Sequence, residues 1–132
     1  MSMDPRALTE AVRTFLTVRH LATLTTLHRD GSPHVVPVGF TFDPETVTAR
    51  VITSGGSVKA RNAGRDGAVG SLCQVDGGRW LTLSGPIRVL NDPESVADAE
   101  RVYAARYRVP KINPTRVVLL MDVTSMMGRV PD

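Results

Sequence analysis

The chain has one cysteine, Cys73, so no disulfide can close within it and no thiol pair is available for zinc or redox work. Its place inside the apolar run Val69 to Val75 predicts a buried, unreactive thiol. Aromatic residues make up only 5% of the chain, Trp80 is the sole tryptophan, and there is no Lys/Arg run or nucleic-acid reading motif. Nucleic acid is therefore not an expected partner. No apolar run approaches the roughly 20 residues that a membrane-spanning helix needs, and Met1 to Arg6 is not followed by the apolar stretch of a signal peptide. No membrane partner is expected, and the cytoplasm is the expected compartment. His20, His28 and His34 do not make a ligand spacing, so no metal is expected. There is no Gly-x-Ser-x-Gly elbow, and the acids sit mainly in turns and at helix starts, which leaves no paired carboxylates for acid–base work. Chemistry in such a chain has to come largely from a cofactor.

What is present is an ordinary globular composition, 42% apolar and 22% charged, over 132 residues, the length of one domain spanning 1–132. The net charge of +3 and pI of about 9.6 favour anionic ligands without naming one.

Asp4-Pro5 reads as an N-cap and first helical position, and Leu8, Val12, Phe15 and Leu16 recur at helical spacing, predicting a first helix that ends near His20. Leu21 to Leu27 reads as a strand, Asp30-Gly31 as a hairpin turn, and His34 to Phe42 as the returning strand. In that second strand Val36, Val38, Phe40 and Phe42 share one face, while Val35, Pro37, Gly39 and Thr41 share the other. The second face is nearly flat, which makes Pro37 to Gly39 a candidate floor for a planar ring or, without a ligand, an irregular edge. Strands are predicted at Val47 to Thr53, Ala68 to Asp76, Arg79 to Asn91 and Arg116 to Val123, with a short one from Ser125. Gly85-Pro86 reads as a bulge. Ser57 caps a short helix, Val58 to Ala63, ended by Gly64; Asp92-Pro93 starts a longer one that stops before Pro110 and buries Val96, Ala99, Val102, Tyr103 and Tyr107. Six or seven short strands with helices at three breaks imply a closed or partly closed antiparallel barrel.

The segment Thr53-Ser54-Gly55-Gly56-Ser57, with Lys59 one turn into the helix, has the chemistry of a phosphate cradle: backbone N–H groups, glycines that permit close approach, and a full positive charge. Read without a ligand it is a capped helix after a flexible turn, because it matches neither a Walker loop nor a dinucleotide fingerprint. Arg61 and Arg65 either extend the basic surface toward a longer anionic tail or form a solvated helix face. Trp80 starts a strand, placed to cover a cofactor or to cap the core.

With these pieces in order the chain resembles the flavin/deazaflavin split-barrel superfamily that includes the pyridoxamine phosphate oxidases, and within it is similar to the coenzyme F420-dependent biliverdin reductases. The similar stretches include Ser32-Pro33-His34-Val35-Val36, Ala49 to Thr53, Gly55-Gly56-Ser57, Lys59-Ala60, Gln74-Val75-Asp76-Gly77, Arg79-Trp80-Leu81, Arg106-Tyr107-Arg108 and Asn113-Pro114. The resemblance implies a split β-barrel homodimer with a cofactor in each intersubunit groove, its ring against Val35, Val36, Pro37 and Val38 and its phosphate at Thr53, Ser54, Ser57 and Lys59. Gln74, Arg79 and Trp80 match positions near the groove. The implied reaction is hydride transfer from reduced F420 to a conjugated small-molecule acceptor, biliverdin or another tetrapyrrole, with no catalytic side chain assigned. Val58-Lys59 stands where pyridoxamine phosphate oxidases have an Arg-Lys pair, and the tail Gly128 to Asp132 lacks their basic ending, which counts against vitamin metabolism and tight FMN binding. The rival readings are an FMN-dependent oxidase on the same fold, a carrier that binds the deazaflavin or a tetrapyrrole without turnover, and a structural or nucleic-acid-binding module.

Overall fold

A computed structural model describes all of residues 1–132. The chain forms β1 (Ser2–Met3), α1 (Glu10–Phe15), β2 (Ala22–Leu27), β3 (Pro33–Val38), β4 (Thr41–Asp43), β5 (Thr48–Ser54), α2 (Val58–Ala63), β6 (Val69–Asp76), β7 (Arg79–Leu90), α3 (Pro93–Arg106), β8 (Arg116–Asp122) and β9 (Ser125–Arg129). The strands join in one antiparallel path, β3-β2-β6-β7-β8-β5-β4, with β9 pairing both β7 and β1. Phe15, Leu24, Phe40, Leu72, Leu81, Leu83, Leu119, Met121 and Met126 fill the interior and are wholly buried.

The mainly β, split-barrel architecture is the one expected, with nine strands in place of six or seven. One reason is that the predicted strand His34 to Phe42 is two strands. β3 pairs with β2 and β4 pairs with β5, and Gly39-Phe40 carries the chain from one to the other. The alternation survives the break: Val38 and Phe40 are buried, and Val35 and Pro37 are exposed.

Four local expectations change. The first helix does not start at Asp4: that carboxylate accepts only the Arg6 N–H (2.9 Å), while Thr9 Oγ1 caps the real helix by accepting from Val12 N (3.2 Å). With β1 pinned to β9, the preceding segment spans from the sheet edge, and six residues remain for α1. β5 begins at Thr48, because Val47 sits at φ 55°, a left-handed conformation that a β-branched residue adopts at a cost. The bulge lies opposite Gly85 and not within β7. Between the pairs Ser84↔Ser125 and Ile87↔Met121 the β8–β9 segment carries one residue more than β7, while the β6 register runs through Gly85 undisturbed. Finally, Cys73 is half-buried on the outer face of β6, since strand parity turns Gly70, Leu72 and Gln74 inward and Val69, Ser71, Cys73 and Val75 outward.

Candidate functional site

β4 and β5 are paired as far as Thr41↔Arg50; beyond it β5 runs on to Ser54 paired only with β8, while the chain before Thr41 departs to β3 and its partner β2. The strands part there, as the two halves of a split barrel do. One lip is β3, with Val35 and Pro37 outward and Val36 and Val38 inward. The other is the end of β5 and the turn into α2. There Ser57 Oγ accepts from Ala60 N (3.2 Å), closing the cap, and also from Thr53 Oγ1 (3.1 Å). Ser54 Oγ accepts from Asn113 Nδ2 (3.0 Å), and Gly55 N donates to Thr115 O (2.8 Å).

These bonds set the polarity of the turn. Ser54 and Ser57 hydroxyls have lone pairs taken by protein donors, so each keeps its own proton to offer outward. Lys59 is in no ion pair, and Arg61 Nη1 folds back on Gly56 O (3.0 Å), adding a second cation beside the turn. A Cβ built at Gly56 meets nothing within 4 Å, so the approach is open. Two hydroxyl donors, an uncompensated ammonium and no carboxylate suit a phosphate, and a phosphate-bearing cofactor fits this donor set. Arg65 is not part of it: Nη1 donates to Asn62 Oδ1 (2.6 Å) and Leu27 O (3.3 Å), tying α2 to the end of β2, where buried Asn62 also donates to Thr26 Oγ1 (3.0 Å).

The remaining candidates lie elsewhere in the chain. Gln74 is wholly buried: Nε2 donates to Phe15 O (2.8 Å) and Oε1 accepts from Arg106 Nη2 (2.7 Å), so its side chain braces the interior. Arg79 pairs with Asp76 and lies over the Phe15 ring. Trp80, opposite Val75 and Arg129, shares the outer face of the sheet with Val35 and Pro37 but is three strands from β3, roughly 14 Å at about 4.8 Å per strand. Within one chain, Arg79 and Trp80 do not join the turn.

Gly39 is not ligand floor. A Cβ there would lie 3.0 Å from Tyr103 and 3.1 Å from Tyr107, so the glycine makes room for the chain's own aromatics, and the flat surface ends at Pro37. Tyr103 and Tyr107 stack with centroids 4.9 Å apart. The Tyr107 hydroxyl donates to His20 O (2.7 Å) and accepts from Phe40 N (3.1 Å); burial pushes its pKa up, which keeps the donor proton in place. Next to it Arg106 donates to Val18 O (2.9 Å), Phe40 O (2.7 Å) and Gln74 and lies over the Phe40 ring, its pKa lowered by burial. Arg106, Tyr103, Tyr107 and Asn113 shape this part of the site; sequence reasoning gave Arg106 and Asn113 no role and read the two tyrosines only as the buried side of a helix. For Arg106 and Asn113 the only signal was their presence in short stretches shared with a family.

The family model for pyridoxamine 5'-phosphate oxidase matches residues 8–127. The chain belongs to the pyridoxamine 5'-phosphate oxidase family. Within this family it is 58% identical, over 114 residues, to a biliverdin reductase of Mycobacterium tuberculosis that depends on reduced coenzyme F420; the match covers 86% of this chain and 82% of the relative. Among solved structures, a conserved hypothetical protein of Mycobacterium tuberculosis superposes with a TM-score of 0.78 at 20% identity, covering 97% of this chain and 88% of its own. A protein described as an F420 reductase superposes with a TM-score of 0.73 at 22% identity, covering 91% and 98%. At those identities the structural likenesses establish the split-barrel fold common to the family.

Proposed function

We propose that the protein is a cytoplasmic homodimeric reductase that uses reduced coenzyme F420 to convert biliverdin to bilirubin. The observation that carries this is the 58% identity to an F420-dependent biliverdin reductase along most of both chains. The turn at which Ser54, Ser57 and Lys59 offer donors, with no carboxylate beside them, independently supports a phosphate-bearing cofactor.

When bound, the deazaflavin supplies a hydride. The protein's part is to hold and orient: Ser54 and Ser57 donate to the phosphate, Lys59 neutralises it, and Thr53 orders Ser57. In the segment Val35 to Val38, the outward Val35 and Pro37 with the strand backbone form the surface against which the ring lies, and the inward Val36 and Val38 back it from the core. Arg79 and Trp80, remote from the turn in their own chain, reach the groove of the partner subunit in this reading. The outer sheet face supports such a dimer. From Thr23, Thr25 and Leu27 across Val35, Val69, Ser71, Cys73 and Val75 to Thr82 and Ser84 the outward positions carry no charge, and Leu27, Val35, Val69 and Val75 are 42–55% exposed. An uncharged apolar face of this extent is characteristic of an interface.

Titration with oxidised F420 and, separately, FMN tests the cofactor; adding biliverdin to the reduced complex tests the reaction. Tight F420 binding with multiple turnovers of biliverdin is expected. Preference for FMN with oxygen consumption, or reduction that stops at one equivalent, would replace the reading with an oxidase or a carrier. Lys59→Ala should weaken F420 binding about ten- to a hundredfold, the worth of one charge-assisted contact, and leave affinity for the phosphate-free deazaflavin core unchanged. Equal loss for both ligands would remove the phosphate role. Cys73→Arg, which sets a charge in the middle of the outer face, should give a monomer by analytical ultracentrifugation and abolish tight F420 binding. A dimer that persists would place the interface elsewhere.

A further inference from the structure

Beyond the Gly39 step, the outer face of β3 continues into a cleft of about 620 Å³ lined by Arg19, His20, Leu21, Tyr103, Tyr107 and Arg108. We propose that this cleft docks the acceptor and selects flat conjugated molecules that carry carboxylates; the inference rests on the reductase reading and names the substrate determinant beside its cofactor site.

Position comes first. Gly39 follows Val35 and Pro37 on the same face of the strand, about 6.7 Å beyond Pro37 at the usual rise, and the tyrosines press directly on it. The cleft therefore begins where the ring-binding surface ends, and an acceptor seated there has its edge over that surface.

Its walls match a planar molecule. Tyr103 and Tyr107 stack face to face, 29° from parallel with centroids 4.9 Å apart, and line one side of the cleft as an aromatic pair. Tyr107 is fixed by two hydrogen bonds through its hydroxyl, so the wall is rigid before any ligand arrives. Leu21, 58% exposed, adds an apolar surface at the mouth.

Charge then selects among planar molecules. Arg19 and Arg108 make no ion pair, and no acidic residue lines the cleft. His20 Nδ1 lies 2.8 Å from Leu21 O, and because a carbonyl only accepts, Nδ1 carries the proton and Nε2 is left as an acceptor, suited to a ligand N–H and not to a carboxylate. The neighbouring groove along α3 differs: there Glu100 pairs with Arg116, and Asp98, one turn from its wall, pairs with Arg101. Two unmatched guanidiniums beside the paired tyrosines recognise carboxylates on a flat, apolar body.

The test is equilibrium binding of biliverdin and of its dimethyl ester, in which both carboxylates are masked, followed by the visible absorbance of the tetrapyrrole. Wild-type protein is compared with Arg19→Gln, Arg108→Gln and the double variant. The arginines are exposed, so the variants should fold, and F420 affinity and thermal unfolding are measured alongside. Wild type should prefer biliverdin to the ester by about five- to tenfold, and the double variant should lose that preference with F420 affinity unchanged. No preference in wild type, or one that survives in the double variant, would overturn the proposal. So would a parallel fall in F420 affinity, which would assign the cleft to the cofactor's acidic tail. Charge-dependent biliverdin binding without any reduction would uphold the cleft and overturn the reductase reading.

Discussion

Gly85→Ala is expected to yield no stably folded barrel. At this point β7 leaves β9 and takes up β8 as its neighbour, and the extra residue in the segment between them brings its backbone hard against Gly85. A Cβ at position 85 would lie 1.8 Å from Asp122 O and 2.9 Å from its carbonyl carbon. Relief requires moving backbone that is hydrogen-bonded on both sides, with Thr124 N donating to Ser84 O (3.0 Å) and Ile87 N to Ala68 O (3.0 Å). No side-chain rotation can help. The cost should exceed about 4 kcal/mol, a large share of the roughly 5–15 kcal/mol that holds a domain folded. Far-UV circular dichroism and urea titration would measure it, with Gly78→Ala as the control, because nothing lies within 4 Å of a Cβ there. A Gly85→Ala protein that unfolds within 1 kcal/mol of wild type, about the spread of ordinary surface changes, would contradict the corner geometry.

Arg106→Met should cost about 3–5 kcal/mol. Methionine replaces the aliphatic stem but none of the donors, so Val18 O and Gln74 Oε1 lose their partner and Phe40 O keeps only the longer contact from the Tyr107 hydroxyl (3.2 Å). Each buried acceptor left unpaired costs about 1–3 kcal/mol. Arg106→Lys should recover little, since one ammonium cannot span three acceptors that a planar fork reaches together. The loss should extend to function, because Arg106 holds Phe40 while Tyr107 holds His20, and Gly39 lies between the strand and the tyrosine wall. Biliverdin binding in the surviving folded fraction should weaken along with the urea midpoint. A variant with wild-type stability would mean that the three acceptors find water instead.

The elements most legible in the sequence were those governed by neighbours a few residues apart. Ser57 and Asp92 cap α2 and α3 as their positions predict, with Asp92 accepting from Ser95 N (3.0 Å), and α2 spans the predicted Val58 to Ala63. The hairpin around Gly77-Gly78 keeps its register, and Gly77 takes the left-handed φ of 61° that a tight turn requires. The donor-rich turn from Thr53 to Lys59 was readable for the same reason. It is built from consecutive residues, and hydroxyl, glycine and ammonium chemistry does not depend on what lies across the barrel.

Long-range contacts decided the rest. Gln74 has the look of a groove residue until Phe15, 59 positions away, and Arg106, 32 away, take up its amide. Gly39 reads as an approach for a ligand until Tyr107, bonded to Phe40 from 67 residues along the chain, fills the space. Cys73 reads as buried from its apolar neighbours, but the pairing of β6 with β2 and β7 decides which strand face is the interior and leaves Cys73 half-buried on the other. Asn113 reads as linker, yet it orients the Ser54 hydroxyl from 59 residues away. The sequence by itself determined the fold class, the caps and turns, and the residue types of the phosphate cradle, because propensity, parity and capping act within a turn or a strand. Which polar side chains brace the interior and which face the groove was decided only when the strands closed, since a buried group's role depends on the partner that satisfies it.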